Sequence, residues 1–304
     1  MTLTDFVAKP GRPVRLSRFD TNDTHGMSKQ DGQGLLEKNV DELSKLQEML
    51  YSQDRHALLV ILQAMDAAGK DSTIKHVMSG VNPQGVQICS FKAPSSRELD
   101  HDYLWRSVLA LPERGMIGIH NRSYYEEVLI ARVHPAILDR QQLPPKAREG
   151  DIWKRRYDQI NQFERFLVEN GTTVVKIFLH VSKKEQTKRL LNRIDTPGKE
   201  WKFSLQDVKE REHWDDYQSA YERAITQTST EHAPWYVVPA DRKWFLHLAV
   251  GHIIVQTMKG LKLAWPEVSE RQRQDLAEGR RLLGADTRGR KGPSKGVRRA
   301  ADRS

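Results

Sequence analysis

The stretch Ala57-Leu-Leu-Val-Ile-Leu-Gln-Ala-Met-Asp-Ala-Ala-Gly-Lys-Asp-Ser-Thr-Ile-Lys-His-Val77 decides the fold. Its apolar run, Ala57 to Leu62, predicts a buried strand, the small residues around Gly69-Lys70 a tight turn, and the run from Ser72 a helix. A strand feeding such a turn aims backbone N–H groups inward, and the helix that follows turns the positive end of its dipole toward the same spot. That is an anion cradle. Lys70 adds a mobile charge for the outermost phosphates, as in the G-x-x-x-x-G-K-[ST] pattern. Two positions depart from that pattern: Ala64 stands for the first glycine, and Asp71 stands where Ser or Thr follows the lysine, with Ser72 one place later. Ala67, Ala68, Gly69, Asp71 and Ser72 are therefore candidate phosphate contacts, with Lys75 further along the helix.

Outward from this stretch, strands and helices alternate. Val86 to Phe91, Gly115 to His120, Thr172 to Leu179 and Trp235 to Val238 are the further predicted strands. Glu98 to Leu109, Ser123 to Val133, Asp151 to Glu169, Ser182 to Ile194, Leu205 to Thr226 and Asp241 to Met258 are predicted helices. The alternation specifies an α/β fold, a parallel sheet of about five strands with helices on both faces. Ligands are expected at the carboxyl ends of the strands, where the phosphate loop already sits. Residues 1–34, rich in Gly, Pro, Asp and Asn, are expected to be an extended arm, and Leu35 to Tyr51 an amphipathic helix. One domain, 35–262, is the simplest partition, with the helical excursion of about 185–226 as a candidate lid.

Composition excludes several classes. In 304 residues no apolar run is long and uninterrupted enough to span a bilayer, so no membrane partner is expected. The N-terminus lacks a signal-peptide core and the single Cys89 forbids an internal disulfide, which together point to the cytoplasm. The net charge of +9 is concentrated at one end: Glu270 to Ser304 holds 11 Lys/Arg against 5 Asp/Glu. Residues 263–304 are expected to be a basic, disordered tail, a solvated segment with opportunistic affinity for polyanions rather than a specific nucleic-acid arm.

A carboxylate inside a phosphate loop needs a cation between it and the anion, so Asp66 is a candidate magnesium ligand, and Asp71 would add a second. The competing reading for Asp66 is a turn cap. At the carboxyl end of the third strand lie Asn121 and Arg122; the planar fork of Arg122 suits a transferring phosphoryl group, or else a salt bridge to Glu126 one helical turn on. Arg189 and Arg193, one turn apart beside a Pro-Gly break, are candidate lid cations, and Lys92 lies in a turn that can receive an acceptor. His101, Asp102 and Trp105 are assigned to packing and capping.

Gln63 to Asp71, Ser90 to Pro94, His101 to Arg106, Asn121 to Glu126, Trp201 to Ser204, Trp214 to Tyr217 and Ala233 to Asp241 together resemble the polyphosphate kinase 2 family, from about Leu35 to about Leu261. Asn121-Arg122 followed by Glu126 resembles its class III subgroup, whose members phosphorylate nucleoside mono- and diphosphates. The resemblance implies a three-layer P-loop kinase fold of the thymidylate-kinase type and a homo-oligomer. It also implies inorganic polyphosphate as donor, AMP or ADP as acceptor, and magnesium as cofactor. On this reading Asp66, Lys70 and Arg122 are catalytic, Glu126 helps to admit the monophosphate, and transfer is in line. The rivals are an ATP-dependent nucleoside or nucleotide kinase on the same fold, and a non-catalytic polyanion-binding protein whose basic tail does the binding.

Overall fold

Ala57–Ala64 is a strand buried along its whole length in the computed structural model of the chain, which describes residues 1–289. Being apolar on both faces, it can only sit between neighbours on each side, under helices above and below. The sheet has six strands: β1 (Val7–Ala8), β2 (Ala57–Ala64), β3 (Val86–Ser90), β4 (Ile117–Asn121), β5 (Thr172–His180) and β6 (Trp235–Pro239), in the order β1-β6-β5-β2-β4-β3. The five strands from β6 to β3 are parallel, and only β1 runs antiparallel, on β6.

The main helices are α1 (Lys29–Gln53), α2 (Lys70–Val77), α3 (Ile152–Glu169), α4 (Lys183–Asp195), α5 (Trp214–Thr228) and α6 (Lys243–Gly260). The chain goes from β2 to β3 and β4 on one side, then to β5 and β6 on the other. The order therefore reverses beside β2, and the crevice at its carboxyl end is where an open α/β sheet binds ligands.

Three sequence expectations are corrected here. The arm 1–34 is not wholly extended: α1 begins at Lys29, where the Ser28 hydroxyl accepts from the Asp31 N–H, and β1 pairs with Trp235 and Tyr236. Gly32 hid this helix from periodicity, yet a Cβ there would lie 2.3 Å from the Trp244 ring, so the glycine lets α6 approach closely. The predicted helices at Glu98 to Leu109 and Ser123 to Val133 are instead short helical pieces such as Ser96–Leu99 and Tyr124–Glu127, and the one at Leu205 to Thr226 is broken at its start into Leu205–Lys209 and Glu210–His213 before α5. Within the lid region, α5 buries Tyr217, Ala220, Tyr221, Ala224 and Ile225, so it belongs to the core.

Residues 1–264 make one unit and the remainder a second. The expected disordered tail is corrected over Glu270–Gly289, which is helical; its run of good helix formers, such as Leu282-Leu283, supports a helix that charge counting overlooked. The rest of that expectation lies outside the described residues. Among the described residues no helix is long and apolar enough to cross a membrane.

Candidate active site

The loop Met65–Gly69 leaves β2 and enters α2. Gly69, the residue before the helix, has φ +116°, a conformation only glycine adopts without strain, and Ala67 also lies on the left-handed side at φ +59°. Ala64 is still strand, so the missing first glycine costs the turn nothing: the positive φ angles fall later. The loop carbonyls are taken up by protein donors. Lys70 Nζ donates to Ala64 O at 3.0 Å, Gln186 Nε2 to Asp66 O at 2.9 Å, and the Ser72 and Thr73 hydroxyls to Gly69 O at 2.9 and 3.0 Å.

Arg189 completes this set from behind. Its guanidinium donates to Ala67 O and Ala68 O on the loop, to Ala240 O and Asp241 O after β6, and to the Glu185 carboxylate at 2.9 Å. All five N–H groups are spent, so Arg189 braces the loop rather than presenting a free fork to a ligand. Arg193 pairs with Asp207 at 3.0 Å.

Arg122 follows β4 with φ +65° and turns its guanidinium onto Asp66, Nη2 to Oδ1 at 2.8 Å. The ion pair expected with Glu126 is thus made with Asp66. Asn121 Nδ2 donates to Asp71 Oδ1 at 2.7 Å, tying the carboxyl end of β4 to the start of α2. Glu126 lies below: with the Gln63 amide turned to satisfy both its ends, the nitrogen donates to Glu126 Oε1 at 2.9 Å and the oxygen accepts from Ser123 Oγ at 3.1 Å.

The charges of this group act on one another. Burial pushes the pKa of Lys70 down, with the charge of Arg122 adding to it and Asp66, Glu126 and Asp71 opposing. Burial pushes the Glu126 carboxyl up against the pull of Arg122 and Lys70. Burial also works against the charge on Arg122, but Glu126 and Asp66 outweigh it and hold its pKa above the ordinary value. Two cations and two carboxylates thus share one partly dehydrated place, the usual setting of a working site.

Three cavities meet there. A cleft of about 720 Å³ is lined by Asp66 to Ser72, Lys92, Asn121, Arg122, Arg189 and Arg193, with Lys199, Trp201, Lys202 and Lys243 around its mouth. A more apolar cavity of about 230 Å³ is lined by Phe91, Pro94, Leu99, Tyr103, Ile130 and Ile137, and ends on Arg122 and Glu126. A third, of about 220 Å³, holds Asp66, Arg122, Glu126, Gln186, Asp207 and Arg211. Arg122 faces all three. Of the sequence candidates only Lys75 is left out, on the exposed flank of α2. Gln186, Asp207, Arg211 and Lys243 escaped sequence reading, since a polar residue on a helix carries no mark of which backbone it reaches.

His101 and Asp102 make the expected packing and capping contacts, and both also line the cavity of about 230 Å³. His101 packs edge-on against Trp105 at 3.9 Å, and Asp102 accepts from the Leu104 N–H at 2.9 Å.

Among known proteins, the profile of the family described as Polyphosphate kinase 2 matches residues 26–264. The chain is 51% identical to an ADP-polyphosphate phosphotransferase of Rhodopseudomonas palustris, over 90% of this chain and 95% of that protein. It is 46% identical to an AMP/ADP-polyphosphate phosphotransferase of Meiothermus ruber, over 85% of this chain and 94% of the other. The crystal structure of a polyphosphate kinase 2 from Arthrobacter aurescens superposes with a TM-score of 0.83 at 42% identity, covering 92% of this chain and 95% of that one.

Proposed function

The chain belongs to the polyphosphate kinase 2 family and is a phosphotransferase, and from that premise we propose that it moves the terminal phosphoryl group of inorganic polyphosphate to AMP or ADP, forming ADP or ATP. The observation that carries the reading is Arg122, which stands where a wide cleft with lysines at its mouth meets a smaller, apolar one. A polyanion without bases suits the first, and a nucleotide suits the second.

In this mechanism polyphosphate enters along Lys199, Lys202 and Lys243 and sets its end groups on the loop. The N–H groups at the start of α2 and the dipole of that helix bind phosphate oxygens. Lys70 leaves Ala64 O for the transferring group. Arg122 exchanges part of its pairing with Asp66 for the equatorial oxygens, where charge gathers in transfer. Glu126, whose carboxyl burial pushes up against the pull of Arg122 and Lys70, admits the acceptor phosphate beside Arg122. No strong base is needed, because the acceptor oxygen is already anionic.

Asp66 and Asp71 both open on the cleft, and their oxygen donors fit magnesium, which takes one or two carboxylates and fills its shell with phosphate oxygens and water. Bound there, magnesium supplies positive charge to the phosphates. The Asn121-Arg122 pair with Glu126 supports a class III enzyme that uses both AMP and ADP. Cys89 as the single cysteine, together with the family resemblance, supports a cytoplasmic homo-oligomer.

The test is incubation of the purified protein with magnesium, polyphosphate and ADP, then AMP, with ATP measured. ATP from ADP is expected, and ATP from AMP sharpens it to class III. No ATP from ADP, with the protein shown to be folded, overturns the reading.

A further inference from the structure

The phosphate loop is held by an amide from outside it. Gln186 lies on α4, 1% exposed, and uses both ends of its side chain. Its Nε2 donates to Asp66 O at 2.9 Å, and its Oε1 accepts from Arg211 Nη1 at 2.5 Å. Arg211 belongs to the short turn Glu210–His213, which closes the segment between α4 and α5, and its second nitrogen donates to Thr187 Oγ1 at 2.7 Å. Three groups therefore form a line: the guanidinium of the covering segment, a buried amide, and the backbone of the very residue whose carboxylate holds Arg122.

An amide whose oxygen accepts from a cation is polarised, and its N–H becomes a stronger donor. The carbonyl of Asp66 and the N–H of Ala67 sit on opposite sides of one planar trans peptide, so fixing the carbonyl fixes the N–H as well. We propose that Gln186 is a positioning residue that couples the segment 196–213 to the phosphate loop. With Arg211 docked, the peptide between Asp66 and Ala67 is held in the orientation used for transfer; with Arg211 undocked, that peptide is free to turn. The inference rests on the phosphoryl-transfer reading above.

Three variants test it, using kcat and KM with polyphosphate and ADP. Gln186→Leu removes both ends of the amide, and kcat is expected to fall about tenfold with KM for ADP unchanged, the size seen when outer-shell partners of a site are lost. Gln186→Glu keeps an acceptor for Arg211 but presents no donor to Asp66 O; it is expected to match Gln186→Leu rather than wild type. Arg211→Met is expected to lower kcat less, and to have no further effect when added to Gln186→Leu.

Full independence of the two changes overturns the coupling, as does a fall in melting temperature with kcat of the folded protein intact. If Gln186→Leu fails to fold, Arg211→Met, partly exposed, reads the same outcome through the wild-type Gln186. A wild-type protein that makes no ATP defeats the functional reading itself, whereas an active wild type beside a fully active Gln186→Leu defeats only the coupling.

Discussion

Two ion pairs lie near one short turn, Tyr124–Glu127, and they are built in opposite ways. Lys176 and Glu164 are both 0% exposed and meet at 2.5 Å. Tyr124 and Tyr125 donate their hydroxyls to Glu164 Oε1 at 2.9 and 2.8 Å, and Lys176 spends its other protons on Tyr125 Oη at 3.1 Å and Thr228 O at 2.6 Å. Every donor of the ammonium is used, and no water is needed. Arg122 and Asp66, at 2.8 Å, are about one-third exposed and open to three cavities. The sealed pair fixes β5, α3, the turn and the end of α5 to one another. The open pair keeps hydrogen-bonding capacity for something that comes and goes. The same two charge types serve as a rivet or as a receptor, according to whether their remaining valences are filled from within the chain.

The comparison breaks most visibly at the rivet. Lys176→Met leaves Glu164 buried without its cation, and a loss of about 3–5 kcal/mol in denaturant unfolding is expected. Adding Glu164→Leu is expected to restore much of it, since a matched apolar pair avoids both desolvation costs; no recovery would mean that the two tyrosines need the carboxylate more than the lysine does. At the receptor the effect moves from stability to rate. Asp66→Asn is expected to lower kcat by about a hundredfold or more, roughly 3 kcal/mol of transition-state stabilisation, with unfolding shifted by less than about 1 kcal/mol. Normal turnover in that variant would remove Asp66 from the mechanism.

Acid separates the regions more gently. His180, at the carboxyl end of the strand that carries Lys176, is pushed down to about 4 by burial. Its neutral form is the folded one, so its stability contribution is whole above pH 6.5 and is lost as pH falls toward about 4, on the order of 3 kcal/mol. His180→Gln is expected to flatten the melting curve in that window, and an unchanged profile would assign acid sensitivity elsewhere. The smallest effect is at the surface: Lys259 and Glu42, both over 40% exposed at 2.7 Å, join α6 to α1, and Glu42→Gln is expected to cost below about 1 kcal/mol, less still in high salt.

The sheet and the loop were legible because both depend on contiguous residues. The all-apolar Ala57 to Leu62 can only be a central strand, and Gly69-Lys70 follows it without a gap. Asp66, Lys70 and Arg122 were legible for the same reason, each being at or near a strand end. What escaped depends on residues far apart in the chain. Arg189 has the look of a free cation on a helix, and besides Glu185 on its own helix its acceptors come from two further segments, the loop and the turn after β6, that only the fold assembles. Gln186 and Arg211 likewise acquire meaning only through Asp66 O. The breaks in the predicted helices have local causes that periodicity does not weigh. The Ser123 hydroxyl, for example, bonds the Tyr125 N–H and begins a tighter helix there.

The turn Tyr124–Glu127 also constrains how this protein can drift. Tyr124 and Tyr125 go to Glu164, Glu126 to Gln63, and Glu127 to Arg156 at 3.1 Å. A helix of this kind advances a third of a turn per residue, so inserting or deleting one residue between β4 and the turn redirects all four side chains at once. Substitutions here can be tried one address at a time, whereas changes of length cannot. Descendants of this sequence are therefore expected to vary in spelling at this turn but not in count, and to carry their gaps in largely exposed connections such as 142–150.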